Sequence, residues 1–225
     1  MILRPGTSDR DVFIANYEQN EYRLPSDMQG QVVIDIGAHI GAFTYTVLEK
    51  GARGVTSIEP DPENAEIAFS NLNQFNNVLF LKAACWGNFS PGQLYLSDYP
   101  MIGITINTGG ARLTEIGNRP VLLVSFDWIV DLACFSFNTD LIDLCKMDCE
   151  GSEWPILFTS KKIKQVKRFC GEFHEDRKLG HPINGKDRFN IEDMEKFFVY
   201  QGYEFSFERH GNAGEGLGLF WAEIT

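Results

Sequence analysis

A doubly wound α/β fold, its sheet mostly parallel and closed by an antiparallel hairpin, is the architecture this sequence predicts. Three observations predict it. Strand-like apolar runs alternate with helical periodicities between residues 32 and 84. The first run, VVIDI, breaks at a turn holding Gly37 and Gly41 and passes straight into AFTYTVLEK, which reads as a helix. The last third ends in two strand-like runs, YEFSFE and LGLFWAEI, joined by HGNAGEG.

In chain order, residues 1–30 form an amphipathic segment, read as a helical lead-in or a lid. After the first strand and helix, Gly51 supplies a C-cap, and GVTSIEPDP gives a second strand over 54–59 that ends at Glu59. Asp61 and Pro62 are an N-cap and a first-turn proline, followed by Ala65, Ala68, Phe69 and Leu72 at helical spacing, so a helix is expected over 62–75. VLFLKAA predicts a third strand over 78–84, completing a cofactor-binding half over 31–84. QLYLS (93–97) and PVLLVSF (120–126) are strand-like, and the polar, Gly-bearing stretch between them reads as a mobile loop over a pocket. A fourth strand is expected over 141–148, with EGSEW turning into a helix, and a fifth over 167–175. Asn190 caps a helix with Ile191, Met194, Phe197 and Phe198 on one face, and Gly202 stops it. No repeat or linker interrupts the chain, so one domain over 1–225 is expected, with 98–119 and 176–190 as substrate loops.

Composition narrows the partners. The 225 residues are 44% hydrophobic and carry a formal charge of -11, which opposes any surface that tracks phosphates; nucleic acid is not an expected partner. The five cysteines are odd in number and show no CxxC pair, as in a reduced compartment. No leader pattern and no membrane-length apolar run is present, so a soluble, cytoplasmic protein is expected. Oligomeric state is not legible.

The glycine turn points to the ligand. D-I-G-A-H-I-G lacks the second glycine of a dinucleotide fingerprint, with Ala38 in its place, and Asp35 precedes the first glycine. An acid there suits a cationic ligand better than a pyrophosphate. Glu59 lies 24 residues beyond Asp35, near the offset at which an acid meets ribose hydroxyls. Adenosine with a cationic tail, S-adenosylmethionine, satisfies both. Taken alone, Asp35 also reads as a capping group and Glu59 as a surface acid.

VIDIGAHIGAFT, SIEPDPENAEIAFSNL, LLVSFDWIV, DLCKMDCEGSEWPIL and FCGEFHE, with the lead-in SDRDVFIANYEQNEY, resemble in order the segments of FkbM-type S-adenosylmethionine-dependent methyltransferases, over residues 8 to 175. The resemblance implies a class I methyltransferase (Rossmann-like) fold of seven strands, one of them antiparallel, and O-methylation of a hydroxyl on a small metabolite, sugar or natural product. His39 departs from the family, which more often has Asn there. By the same resemblance Asp35, Gly37, His39 and Gly41 surround the methionine end of the cofactor and Glu59 binds the ribose. Asn64 is either a cap or a cofactor contact. Ala83 and Ala84 line the adenine by backbone, with Cys85 or Trp86 over its face, and Glu150 stands beside the cofactor. Tyr17 and Tyr22 fold over it as a lid or pack as core aromatics.

Asp148, where the fourth strand opens, and Glu172 and His174, at i and i+2 on the fifth, are the candidate catalytic residues. In one mechanism His174 is a general base held by a carboxylate. In the other, Asp148, Glu172 and His174 hold a divalent metal ion that acidifies the acceptor hydroxyl. His181 and His210 read as surface histidines. An NAD-linked oxidoreductase and a non-catalytic S-adenosylmethionine-binding module are the alternative functions.

Overall fold

The structure, a computed structural model, describes residues 1–175, 182–210 and 216–224. Seven strands form one sheet: β1 (Val32–Ile36), β2 (Gly54–Ile58), β3 (Val78–Leu81), β4 (Leu144–Met147), β5 (Arg168–His174), β6 (Tyr203–Arg209) and β7 (Leu217–Ile224). Their order is β6-β7-β5-β4-β1-β2-β3. All neighbouring pairs are parallel except those made by β7, which runs antiparallel to both β5 and β6. The expected doubly wound sheet with one antiparallel strand is present. Chain order reverses between β1 and β4, which opens a crevice at their carboxyl ends.

Alternation along β1 assigns its two faces. Val32, Ile34 and Ile36 join a core with Met147, Phe126, Trp154 and Phe169, whereas Val33 packs with Val55, Phe43, Val47 and Leu144. Helices α2 (Ala42–Glu49) and α3 (Pro62–Leu72) contribute to the second core. Helices α4 (Phe126–Ser136), α5 (Glu153–Thr159) and α6 (Ile191–Gln201) contribute to the first. The lead-in holds α1 (Asp9–Phe13), continued by a wider helical turn over Ile14–Glu18.

Four expectations need correction. The third strand stops at Leu81; Ala84–Trp86 forms a separate parallel pair with Leu123–Ser125. The strand-like run 120–126 yields only Leu123–Ser125, because Ser125 caps a helix and accepts the Trp128 N–H at 3.2 Å. The resulting α4 was hidden by its own apolarity, yet Phe126, Ile129, Val130 and Ala133 bury one helical face and supply the crossover on the way from β3 to β4. The α3 helix ends at Leu72, short of residue 75. Of the 93–97 run only Tyr95–Leu96 is strand, paired with Leu113–Thr114.

Candidate active site

A cavity of about 500 Å³ lies over the carboxyl ends of β1, β2 and β4. Its floor is the turn Gly37–His39, the segment Glu59–Asp61 and the segment Asp148–Glu150; its roof comes from residues 11–22 and 96–113. Among the described residues the wall carries Asp11, Glu21, Glu59, Asp61, Asp148, Glu150 and Glu172, against Lys146 alone of the lysines and arginines.

The turn is held open by backbone geometry. Gly37 has φ +77°, and a Cβ there would stand 1.8 Å from the Asp148 carbonyl oxygen. Its N–H and that of Ala38 both donate to the Ile58 carbonyl, at 3.0 and 2.9 Å, so the turn is tied to β2. Gly37→Ala therefore combines a backbone clash with a disfavoured φ, and is expected to cost about 2–4 kcal/mol and to abolish ligand binding. Chemical denaturation against the parent measures it; a loss under 1 kcal/mol would contradict this geometry.

Glu59, 5% exposed, receives the His39 N–H at 2.8 Å and the Asp61 N–H at 2.9 Å. Burial pushes its carboxyl up to about 7, partly offset by those two bonds. The Asp61 carboxylate caps α3, accepting from Glu63 and Asn64, and is paired with Arg119. His39, at φ +51°, places Nε2 2.8 Å from Thr108 Oγ1, which donates to Asp9 Oδ1 at 2.9 Å. Because that carboxylate takes the hydroxyl proton, His39 Nε2 must be the donor. Burial holds the imidazole neutral, down to about 4. Asp9 lies at about 2: burial opposes ionisation, but the hydrogen-bonded Arg4 guanidinium overcomes it. Asn64 bridges Arg4, which donates to its Oδ1 at 2.6 Å, and the Thr108 carbonyl, at 2.9 Å. Lead-in, turn, α3 and the 98–119 loop thus meet in one buried polar knot.

The other end is built on Lys146, which lies opposite Asp35 in the β1–β4 register. Its Nζ donates to the Gly37 carbonyl at 2.6 Å and lies 3.4 Å from Asp35 and 3.7 Å from Asp148. Burial alone would lower its pKa, but those two carboxylates raise it, so the ammonium stays charged. The Tyr22 hydroxyl donates to Asp148 at 3.3 Å. Glu21 rises to about 7 through burial and the neighbouring Asp148. Glu172 is likewise pushed up by burial and by Asp148. His174 is 1% exposed, its Nδ1 3.1 Å from Glu153 and its Nε2 3.5 and 3.6 Å from Glu150 and Glu172. Burial disfavours the imidazolium, yet Glu153 and Glu150 hold its pKa well above the ordinary value. Asp148, Glu172 and His174 each offer one ligand atom within 4.8 Å of the others.

Of the residues expected at the site, Gly37, His39, Glu59, Asn64, Ala84, Asp148, Glu150, Glu172 and Tyr22 line the cavity, as do Cys85 and His210. Asp35, Gly41, Ala83 and His174 stand behind the wall. Asp35 shares the face of Val33 and accepts the Thr44 hydroxyl from α2 at 2.7 Å, wholly buried. Gly41 caps α2, where a Cβ would meet Leu72 at 3.0 Å. Trp86 is buried against Phe89, and Tyr17 is 43% exposed. Residues 176–181, with His181 and part of the second loop, lie outside the described residues. Sequence reasoning missed Lys146, Asp9 and Thr108. A lysine within the buried run LCKM was a usable signal, whereas Asp9 and Thr108 gain their role only by long-range contact.

A sheet with this strand order, parallel but for β7, and a crevice at its reversal define a methyltransferase-type α/β fold. A family model described as the methyltransferase FkbM domain matches residues 35–205, more than half of the chain. The chain belongs to the FkbM methyltransferase family, and family and fold together make it an S-adenosylmethionine-dependent methyltransferase. No curated protein matches it. Among solved structures, a provisionally described S-adenosylmethionine-dependent methyltransferase from Listeria monocytogenes is similar at a TM-score of 0.55 and 11% identity, over 96% of this chain and 99% of that one. The methyltransferase FkbM of Methylobacillus flagellatus KT is similar at 0.51 and 16% identity, over 88% of this chain and 44% of that one, so the present chain spans less than half of that protein. An rRNA methylase from Streptococcus thermophilus is similar at 0.48 and 10% identity, over 100% and 98%. At such identities these structures share the fold alone.

Proposed function

We propose that this methyltransferase moves a methyl group to a hydroxyl oxygen of a small acceptor, as a single cytoplasmic domain. The observation that carries the reading is the acidity of the cavity wall: among the described residues seven carboxyl groups, three of them raised by burial, face one ammonium. Such a wall favours a cationic ligand and opposes the pyrophosphate of NAD or the backbone of a nucleic acid. The residues fit S-adenosylmethionine: Glu59 offers a carboxylate for the ribose hydroxyls at the end of β2, and the Gly37 turn leaves space that a Cβ would fill. When bound, that cofactor supplies an electrophilic methyl carbon on a sulfonium.

The protein's part is positioning and proton removal. Asp148 and Glu172 face the cavity from adjacent strands, and the raised Glu172 carboxyl sits where it matches proton transfer near neutral pH. His174, charged and behind the wall, acts as a positioning group that keeps Glu172 and Glu150 in place. One observation favours a second reading of the same step: the ligand atoms of Asp148, Glu172 and His174 lie close enough to share a divalent ion.

Titration with S-adenosylhomocysteine, followed by transfer from labelled S-adenosylmethionine to a panel of hydroxyl acceptors, tests the reading. Binding and transfer are expected. Glu172→Gln should lower kcat by about 100-fold or more while leaving cofactor affinity within a few-fold. Absence of cofactor binding by folded protein would overturn the function; nicotinamide-linked absorbance changes would favour the oxidoreductase. Loss of transfer on chelation, restored by Mg²⁺ or Mn²⁺, would select the ion over the free base.

A further inference from the structure

One end of the cavity roof is fastened from outside the cavity. Roof residues 11–22 finish at Tyr22, which is buried, packs edge-on against Phe43 at 5.6 Å and donates its hydroxyl to Asp148 Oδ2 at 3.3 Å. That bond joins roof to floor.

The next residue turns away. Arg23 has φ +54°, a left-handed backbone that favours glycine, and the turn around it is stapled by Asn20. The Arg23 N–H donates to the Asn20 carbonyl, the Leu24 N–H to Asn20 Oδ1 and Asn20 Nδ2 to the Leu24 carbonyl, each at 2.9 Å. Beyond the turn the Arg23 guanidinium lies on the Trp221 ring, 3.6 Å from its centroid, and pairs with Glu208. Trp221 Nε1 donates to the Tyr22 carbonyl at 3.1 Å, so one indole holds both residues. A non-glycine residue kept in this conformation marks a place where surrounding contacts outweigh its strain.

The dock borders the site. Leu219 and Trp221 share a face of β7 at i and i+2, and Leu219 lines the cavity opposite Glu172 on β5 and Glu208 on β6. We infer that Arg23 and Trp221 are positioning residues: docked together, they hold Tyr22 over the cavity, keep its hydroxyl on Asp148 and retain the cofactor beneath the roof. The far end of the roof is fastened by Arg4 on wholly buried Asp9, whereas the Arg23 and Glu208 side chains are 50% and 64% exposed. An exposed pair is the weaker fastening, so the roof opens at Arg23 and hinges at Asp9. Only the use made of Asp148 rests on the hydroxyl-transfer reading.

Stopped-flow kinetics with S-adenosylhomocysteine, and amide hydrogen exchange over residues 20–24, test the dock. Arg23→Gly suits the left-handed backbone and removes the side chain, while Trp221→Leu breaks the same contact from the strand. Each should raise the S-adenosylhomocysteine dissociation rate about tenfold without slowing association. The double variant should dissociate no faster than the faster single one, because both changes break one contact. Trp221→Phe, which keeps a ring but loses the indole N–H, should fall between parent and Trp221→Leu, and replaces it in the cycle if the leucine variant does not fold. A merely structural role would lower the fraction of binding-competent protein and leave both rate constants at parental values; that result would overturn the inference, as would multiplied effects in the double variant. If folded parent binds no S-adenosylhomocysteine, the cofactor reading fails, yet faster exchange at residues 20–24 in both variants would still support the dock.

Discussion

Glu59→Gln is expected to weaken S-adenosylhomocysteine binding by about a hundredfold, because a carboxylate accepting two ribose hydroxyls makes charge-assisted bonds that an amide cannot. The His39 N–H goes to Oε2 and the Asp61 N–H to Oε1, so the amide keeps one of these bonds and turns its NH2 toward the other N–H; a denaturation curve of the variant separates loss of the turn from loss of the ribose contact. The same residue predicts a pH dependence of defined sign. In the unfolded chain a glutamate ionises near 4.5, whereas burial in the folded chain holds Glu59 to about 7. Between those values the folded state carries the extra proton, so ligand-free protein loses stability as pH rises, by up to about 3 kcal/mol from this group. Ligand affinity moves oppositely, rising as pH climbs through 7, since the ionised form accepts the hydroxyls. Calorimetry from pH 5 to 8 should show both trends in the parent; in Glu59→Gln the affinity trend should vanish and the stability trend shrink without disappearing, because Glu21 and Glu172 are raised as well. A variant that binds like the parent would mean that the ribose is held elsewhere.

Lys146→Met should destabilise the fold by about 3–5 kcal/mol, the size expected when one partner of a buried ion pair is removed. Asp35 is wholly buried, and among the described residues its partners are the Thr44 hydroxyl at 2.7 Å and the Lys146 ammonium at 3.4 Å. Without the ammonium its charge has no compensation, and the Gly37 carbonyl loses its 2.6 Å donor. The double variant Asp35→Asn/Lys146→Met should recover most of the loss, giving a coupling of about 2 kcal/mol or more in a urea-denaturation cycle. Additive single effects would show that the two groups act independently and that Lys146 serves the turn alone.

Ligand contact and fold support were hard to separate in the sequence. Asp35 and Glu59 end successive strands and read as a pair, yet strand alternation turns Asp35 toward α2 while Glu59, one residue beyond β2, reaches the cavity. The i, i+2 spacing of Glu172 and His174 did bring them to 3.6 Å, but the charge state of His174 depends on Glu153 from α5, which strand spacing does not reveal.

The hydrophobic alternation, the caps at Asp61 and Asn190 and the glycine turn determined the fold class and the place of the crevice, because these are local preferences written in neighbouring residues. Only the tertiary structure decided that β7 inserts between β5 and β6, that α4 takes over from a strand-like run, and that Asp9 and Thr108 meet His39 across about 100 residues of chain. Those outcomes follow from burial and pairing between distant segments, where the energy belongs to a contact and not to either stretch of sequence alone.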